Sequence, residues 1–158
     1  LWGRMYTDLF TVYIYDFVAA RQYGYKQLLM FGLMDNKTGK VVFMTDGHFE
    51  LNTVLEPEVH KGREFPKTSH YVFTNEDGSR VEFNVTWEDQ LEFWDMYELA
   101  GENMRKRYDA IGMRMQYCRY YAKGGVRFTP AGGETNEAHG DMIYEYAYMG
   151  QPDPAAHV

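Results

Sequence analysis

Residues 69–88 read SHYVFTNEDGSRVEFNVTWE, and this stretch decides the fold class. Two runs rich in β-branched and aromatic residues flank the turn-forming segment NEDGS, which carries its glycine late in the turn. In the second run, every second residue from Val81 to Trp87 is apolar, and the residues between them are polar. Because successive side chains of a strand point to opposite faces, we predict an antiparallel hairpin with one buried face.

Similar runs, separated by turn signals, occur along most of the chain. Together with the hairpin they predict eight to ten short strands, the others lying at 9–18, 25–34, 40–45, 48–55, 113–122, 126–129 and 142–149. Prolines and charges predict a loop at 56–66, whereas 90–99 fits a strand or a helix and 102–111 a short helix or a loop. The predicted fold class is all-β, a lipocalin-like antiparallel β-barrel over residues 1–150 with a tail at 151–158. A β-sandwich is the alternative.

The composition limits the classes of function. The chain has 158 residues, among them 14 Tyr, 10 Phe and 3 Trp, an abundance that suits strands lining a cavity or having one wet face. A net charge of −7 repels phosphate backbones, so we expect no nucleic-acid partner. Cys118 is the single cysteine, which excludes an internal disulfide and predicts a buried structural thiol. Histidine spacing and the glycine pairs match no metal or phosphate motif, so we expect no metal and no cofactor.

Three short segments resemble a known family. The opening LWGR at 1–4, the strand from Thr11 to Asp16, and HGDMIYEY at 139–146 are similar to parts of the carotenoid 1,2-hydratase (hydroxyneurosporene synthase) and AttH-like family. The resemblance implies the second of two paired lipocalin-like domains. In the hydratases a His-x-Trp motif and a Tyr-x-Asp motif are associated with catalysis. Trp2 matches the tryptophan and Asp16 the aspartate, while Ile14 stands where that motif has tyrosine.

Asp16 is the candidate catalytic residue. Hydration of an alkene needs a proton donor, and a carboxyl group in an apolar pocket stays protonated because desolvation disfavours its charge. Aromatic faces would stabilise the resulting cation. The candidate ligand-binding residues are Trp2, Tyr13, Tyr15, Tyr144 and Tyr146. The alternatives are that Asp16 meets water at a strand end, and that the tyrosines of the last strand pack against neighbouring strands. The alternation does not decide which face of that strand, the tyrosines or Glu145, points inward.

Three functions fit these observations. The first is a lipocalin-like domain that binds an apolar small molecule of the isoprenoid or acyl type. The second is an acid-catalysed hydratase or lyase that acts on a polyene in the same cavity. The third is a structural half of a two-domain protein, which docks a partner lipocalin-like domain or a second copy through an aromatic surface.

Overall fold

In the computed structural model, the chain folds into one antiparallel sheet of nine strands. The structure describes residues 1–19, 24, 26–45, 47–60 and 63–150, and at 57–60 it describes the backbone alone. The strands are β1 Trp2–Tyr6, β2 Phe10–Val18, β3 Gln27–Asp35, β4 Lys40–Met44, β5 Phe49–His60, β6 Arg63–Thr74, β7 Arg80–Asp95, β8 Met113–Thr129 and β9 Asn136–Gly150. Two helices, α1 Met96–Leu99 and α2 Glu102–Ala110, connect β7 to β8. The all-β prediction is confirmed. The tail predicted at 151–158 lies outside the described residues.

The sheet curls so that its two ends approach each other. The strand order is β4-β3-β2-β1-β9-β8-β7-β6-β5, which makes β4 and β5 the edge strands. The described strands contain no ladder between β4 and β5, but side chains bridge the gap. Phe43 of β4 contacts Phe73 of β6 with ring centroids 6.4 Å apart, and Nδ2 of Asn75 donates to the carbonyl of Met44 at 2.9 Å. The architecture is therefore barrel-like and is closed on this side by side-chain packing.

The loop predicted at 56–66 is wrong, because β5 continues to His60 and β6 begins at Arg63. The pairing of these two strands is irregular there, with register shifts between Val54 and Leu55 and between Glu56 and His60. Proline lacks an N–H to donate, so it is accepted in edge strands and beside bulges. The two prolines of the segment lie in these strands, one in the edge strand and one opposite Leu55 at a shift.

The helices contribute little to the core. None of their residues is buried. Asp95 caps the N-terminus of α1, because its side chain accepts a hydrogen bond from the backbone N–H of Glu98 at 3.0 Å. Among the described residues, no helix is long and apolar enough to cross a membrane.

One end of the barrel interior is filled with phenylalanine. Rings from six different strands meet there, with centroids 4.5 Å apart for Phe31 and Phe73, 5.3 Å for Phe31 and Phe83, and 6.1 Å for Phe43 and Phe128. All six rings are at least 94% buried. We call this region the phenylalanine end; it comprises Phe10, Phe31, Phe43, Phe73, Phe83 and Phe128. Its rings carry no polar atoms, so packing alone determines their arrangement.

Candidate functional site

Asp16 lies on the inner face of β2, far along the strand from the phenylalanine end. It shares this face with Phe10, Val12 and Ile14, because side chains alternate along a strand. Asp16 is 7% exposed, and its Oδ1 accepts a hydrogen bond from Nε2 of Gln27 at 2.8 Å. Desolvation raises the pKa of its carboxyl group, and the hydrogen bond from Gln27 offsets part of that rise. Asp16 is therefore a buried acid, and the alternative of a water-exposed strand end is wrong.

Tyr144 lies on the inner face of β9, and its ring passes over Gly3 of β1. A Cβ atom at Gly3 would lie 2.5 Å from a ring carbon of Tyr144, so only glycine leaves room for the ring. The hydroxyl groups of Tyr144 and Tyr71 form a hydrogen bond of 2.9 Å between two side chains that are fully buried. Burial raises the pKa of both hydroxyls, so both stay protonated at neutral pH.

Tyr146 and Tyr148 continue the inner face of β9. They pack edge to face with each other and with Phe65, with ring centroids between 5.2 and 5.8 Å apart. The hydroxyl of Tyr148 donates to the backbone carbonyl of Glu64. Desolvation is the main cause that raises the pKa of Tyr146, and the charge of Asp16 adds to it. Trp2 of β1 pairs with Tyr15 on one side and with Glu145 on the other, so the next residues, Asp16 and Tyr146, lie at the same level of the inner face.

Arg63 lies over the last of these rings, with Cζ 4.7 Å from the ring centroid of Tyr148. Its Nη2 donates to the carbonyl of Arg114 at 2.7 Å and to the carbonyl of Gly150. The first of these carbonyls belongs to the beginning of β8 and the second to the end of β9. Arg63 therefore joins the ends of two strands from inside the barrel.

Three buried polar atoms in this region have no hydrogen-bond partner in the described part of the chain: Nη1 of Arg63, Nε1 of Trp87 and Oε1 of Gln116. The indole of Trp87 meets the ring of Tyr144 edge to face at 5.0 Å. Gln116 lies opposite Tyr148 in the ladder between β8 and β9. We call this region the tyrosine end; it comprises Asp16, Gln27, Arg63, Phe65, Tyr71, Trp87, Gln116, Tyr144, Tyr146 and Tyr148.

The structure separates the candidate residues predicted from the sequence. Asp16, Tyr144 and Tyr146 come together at the tyrosine end, whereas Trp2, Tyr13 and Tyr15 lie on the outer face of the sheet. Trp2 pairs with Tyr15 and contacts the ring of Tyr13 at 6.2 Å. Tyr15 precedes Asp16 on a strand, so the two side chains point to opposite faces. The expectation that Trp2 and Asp16 share one pocket is therefore wrong.

The outer face around Trp2 is apolar and exposed. Neighbouring strands expose several large apolar side chains on it, namely Phe17, Leu28, Met30 and Met44. A function that docks a partner through an aromatic surface, as predicted from the sequence, would use this patch.

Seven residues of the tyrosine end were not among the candidates from the sequence: Gln27, Arg63, Phe65, Tyr71, Trp87, Gln116 and Tyr148. Tyr71 and Trp87 belong to the buried face of the hairpin, so the alternation already contained the signal for them. The three polar residues gave no such signal. Their burial follows from which strands close over them, and this depends on sheet register and curvature.

The outer face of β9 carries Glu145. Its carboxylate pairs with Arg119 at 3.0 Å, which answers the question left open by the sequence: the tyrosines of β9 point inward and Glu145 points outward.

Cys118 is fully buried and free, as predicted, and desolvation raises the pKa of its thiol to about 11. No group of three or more His, Cys, Asp or Glu side chains that could hold a metal ion occurs in the described ranges.

A groove of about 480 Å³ crosses the outer face where β7, β8 and β9 meet. Its floor is glycine backbone, and the charged side chains along it are paired with neighbours. Lys123 lies 3.6 Å from Glu88, and the hydroxyl of Tyr121 donates to Asp141 at 2.6 Å. Because these polar groups are satisfied and open to water, the tyrosine end is the stronger candidate site.

Comparison with known proteins supports the fold alone. No protein-family model matches the chain, and no curated protein matches it. The crystal structure of CghA with Sch210972 is similar, with a TM-score of 0.61 at 10% sequence identity. The match covers 94% of this chain and 39% of CghA, so the chain spans well under half the length of that protein.

Proposed function

We propose that this chain is a binding domain for a largely apolar small molecule, of the isoprenoid or acyl type, held at the tyrosine end of the barrel. The observation that carries the proposal is the set of three buried polar atoms that have no hydrogen-bond partner in the part of the chain that the structure describes: Nη1 of Arg63, Nε1 of Trp87 and Oε1 of Gln116. All three belong to the tyrosine end. A bound molecule with polar atoms at matching positions would give them partners.

The energetics favour such a ligand. A buried donor or acceptor that lacks a partner costs about 1–3 kcal/mol, because its hydrogen bonds to water are lost on folding. Aromatic side chains with few polar groups among them are also the usual lining of small-molecule sites. A ligand that buries its apolar body against these rings and pairs with the polar atoms would recover this cost.

Retinol is a suitable probe, because it is an apolar isoprenoid with one hydroxyl group. We expect about one molecule to bind per chain with micromolar affinity, a binding free energy of roughly −8 kcal/mol. Quenching of tryptophan fluorescence during a titration measures this binding. Trp87→Phe removes the unpartnered indole N–H and should weaken binding several-fold. Trp94→Phe is the matched control, since Trp94 is half exposed and lies opposite Tyr117 on the outer face of the sheet. Equal effects of the two substitutions, or no saturable binding, would contradict the proposal.

Acid catalysis is the second candidate function, and the burial of Asp16 favours it. A protonated carboxyl group could transfer its proton to a carbon of a bound polyene, and water could then add to the cation and return a proton to Asp16. The reaction would add one water molecule to one double bond. The rings of the tyrosine end would stabilise the cation. The resemblance of Asp16 to the aspartate of the carotenoid hydratases points the same way.

Asp16→Asn tests this second function. The substitution removes the transferable proton and preserves the shape, so turnover of an acyclic polyene should fall about 10²-fold or more. Product formed in heavy-oxygen water and measured by mass spectrometry would report the added water. Retinol binding should change little. Turnover that survives the substitution would remove Asp16 as the proton donor and leave the binding function in place.

A further inference from the structure

Arg63 carries a buried charge that the described part of the chain leaves without an ion-pair partner. The residue is 4% exposed, and no carboxylate of the described residues lies within ion-pair distance of its guanidinium group. Two neutral carbonyl groups accept from Nη2, while Nη1 has no acceptor among the described residues. Buried charges in proteins are normally paired, because an unpaired ion loses its hydration without compensation.

The carboxylate that acts on Arg63 is already used by other groups. Asp95 accepts hydrogen bonds from the backbone N–H of Glu98 and from Nε2 of Gln116, each at 3.0 Å. Desolvation lowers the pKa of Arg63, and the negative charge of Asp95 offsets only part of this. The guanidinium group is therefore undercompensated in the free protein.

The surroundings of Arg63 define the kind of anion that would fit. One face of the guanidinium lies on the ring of Tyr148, and Phe65 packs against the same ring at 5.3 Å. A single positive charge beside apolar rings suits an anion with one negative charge and an apolar body. Extending our proposed function, we infer that the tyrosine end binds an acyl-chain acid whose carboxylate accepts a hydrogen bond from Nη1 of Arg63.

Three features of the site favour this arrangement. The bonds from Nη2 to the carbonyls of Arg114 and Gly150 hold the guanidinium in place before the ligand arrives, which reduces the entropy lost on binding. The resulting bond is charge-assisted and therefore stronger than a neutral one. From Tyr148 the inner face of β9 runs through Tyr146 to Tyr144, about 13 Å along the strand, and offers aromatic rings to an acyl chain.

Parinaric acid, a fluorescent polyene fatty acid, and its uncharged methyl ester test the inference on the whole chain. Both probes have the same apolar body, so the difference between them isolates the carboxylate. We expect the wild-type protein to bind the acid at least 10-fold more tightly than the ester. Arg63→Met should abolish this preference by weakening the acid and leaving the ester almost unchanged.

Arg119→Met is the matched control, because it removes one positive charge from the outer face, where Arg119 pairs with Glu92 and Glu145. It should leave the preference for the acid intact. Arg63→Met also removes the bonds between two strand ends. If it fails to fold, Arg63→Lys is the second variant: it keeps the positive charge but lacks Nη1, so it should reduce the preference for the acid, and an unchanged preference would contradict the role of Nη1.

The outcomes separate the two proposals. Equal binding of acid and ester by the wild-type protein would overturn the role of Arg63 and leave the binding function standing. Absence of saturable binding of either probe would overturn both. A preference for the acid that survives Arg63→Met, or is lost in Arg119→Met, would place the carboxylate elsewhere.

Discussion

At the phenylalanine end, six rings from six strands meet in the interior without a polar atom among them, whereas at the tyrosine end the same barrel encloses an acid, a guanidinium group, two amides and several hydroxyls. Five strands, β2, β3, β6, β7 and β8, contribute inner-face residues to both regions. Phe10 and Asp16 belong to one face of β2, and Phe128 and Gln116 to one face of β8. The chain therefore changes chemistry along the barrel axis while it keeps one alternation.

The difference separates what holds the barrel together from what can recognise a molecule. Rings at the phenylalanine end need only close packing, and their contacts join strands that share no ladder. Polar groups at the tyrosine end need partners, and most of them have one, such as Gln27 for Asp16 and Tyr71 for Tyr144. The remaining unpartnered atoms occur only in this second region of the described interior. Stability should therefore depend more on the first region and binding on the second.

The largest effect is expected from Phe31→Ala. This ring contacts Phe43, Phe73 and Phe83 and is fully buried. Its removal leaves a cavity where strands that lack a ladder meet, so the free energy of unfolding should fall by about 3–5 kcal/mol in urea denaturation.

Leu28→Ala on the same strand is the control, because Leu28 is 56% exposed on the outer face. It should change the free energy of unfolding by about 0.5 kcal/mol or less. Similar losses for the two variants would mean that the phenylalanine end does not close the barrel.

Gly3→Ala should cause a smaller loss of stability than Phe31→Ala. The new methyl group would overlap the ring of Tyr144 and force it to move, and overpacking of this kind costs about 1–3 kcal/mol. Thermal unfolding followed by circular dichroism would measure the effect. Gly32→Ala is the control, because a Cβ there would meet only the side chain of Met44, at an ordinary distance of 3.4 Å. If Gly3→Ala were as harmless as Gly32→Ala, Tyr144 would not lie over β1.

Tyr144→Phe should cost about 1–2 kcal/mol, since it removes one hydroxyl of the buried pair and leaves the other without this partner. Removing both hydroxyls, with Tyr71→Phe added, should cost less than the sum of the two single changes. A double-mutant cycle from urea denaturation measures this coupling. Tyr6→Phe, at an exposed position on β1, provides the control and should be almost neutral. Additive losses in the cycle would show that the two hydroxyls do not interact.

Much of the fold could be predicted from the sequence because it depends on local patterns. The alternation from Val81 to Trp87 identified a buried face, and the turn at 75–79 joins β6 to β7 as predicted. The resemblance to the hydratases was less informative. It implies that Trp2 and Asp16 share a site, because each matches a residue of a catalytic motif, yet Asp16 pairs with Leu1 and Trp2 with Tyr15. Side-chain direction depends on this register, which the sequence pattern does not contain.

The polar half of the site could not be predicted for a related reason. Arg63 is a charged residue within a segment predicted to be a loop, and an isolated sequence places such a residue in water. Only the curl of the sheet brings β6 against the ends of β8 and β9 and buries Arg63. Gln27 and Gln116 are comparable, since only the pairing of neighbouring strands brings them to the carboxyl groups of Asp16 and Asp95.

The smallest effect is a pH dependence set by Asp16. Desolvation raises the pKa of its carboxyl group in the folded protein above its ordinary value of 3.8. The native state therefore binds more protons than the unfolded state between the two pKa values. The contribution of Asp16 to stability is fully present below the unfolded pKa and is lost as the pH rises through the folded pKa.

Asp16→Asn keeps an acceptor for Gln27 and cannot ionise, so it should melt at about the wild-type temperature near pH 3.5 and above it at pH 8. Calorimetry across this range measures the divergence, and Asp8→Asn, in the exposed turn after β1, should follow the wild type. Parallel curves for wild type and Asp16→Asn would mean that the carboxyl group is hydrated, and the tyrosine end would then lack the buried acid that distinguishes it from the phenylalanine end.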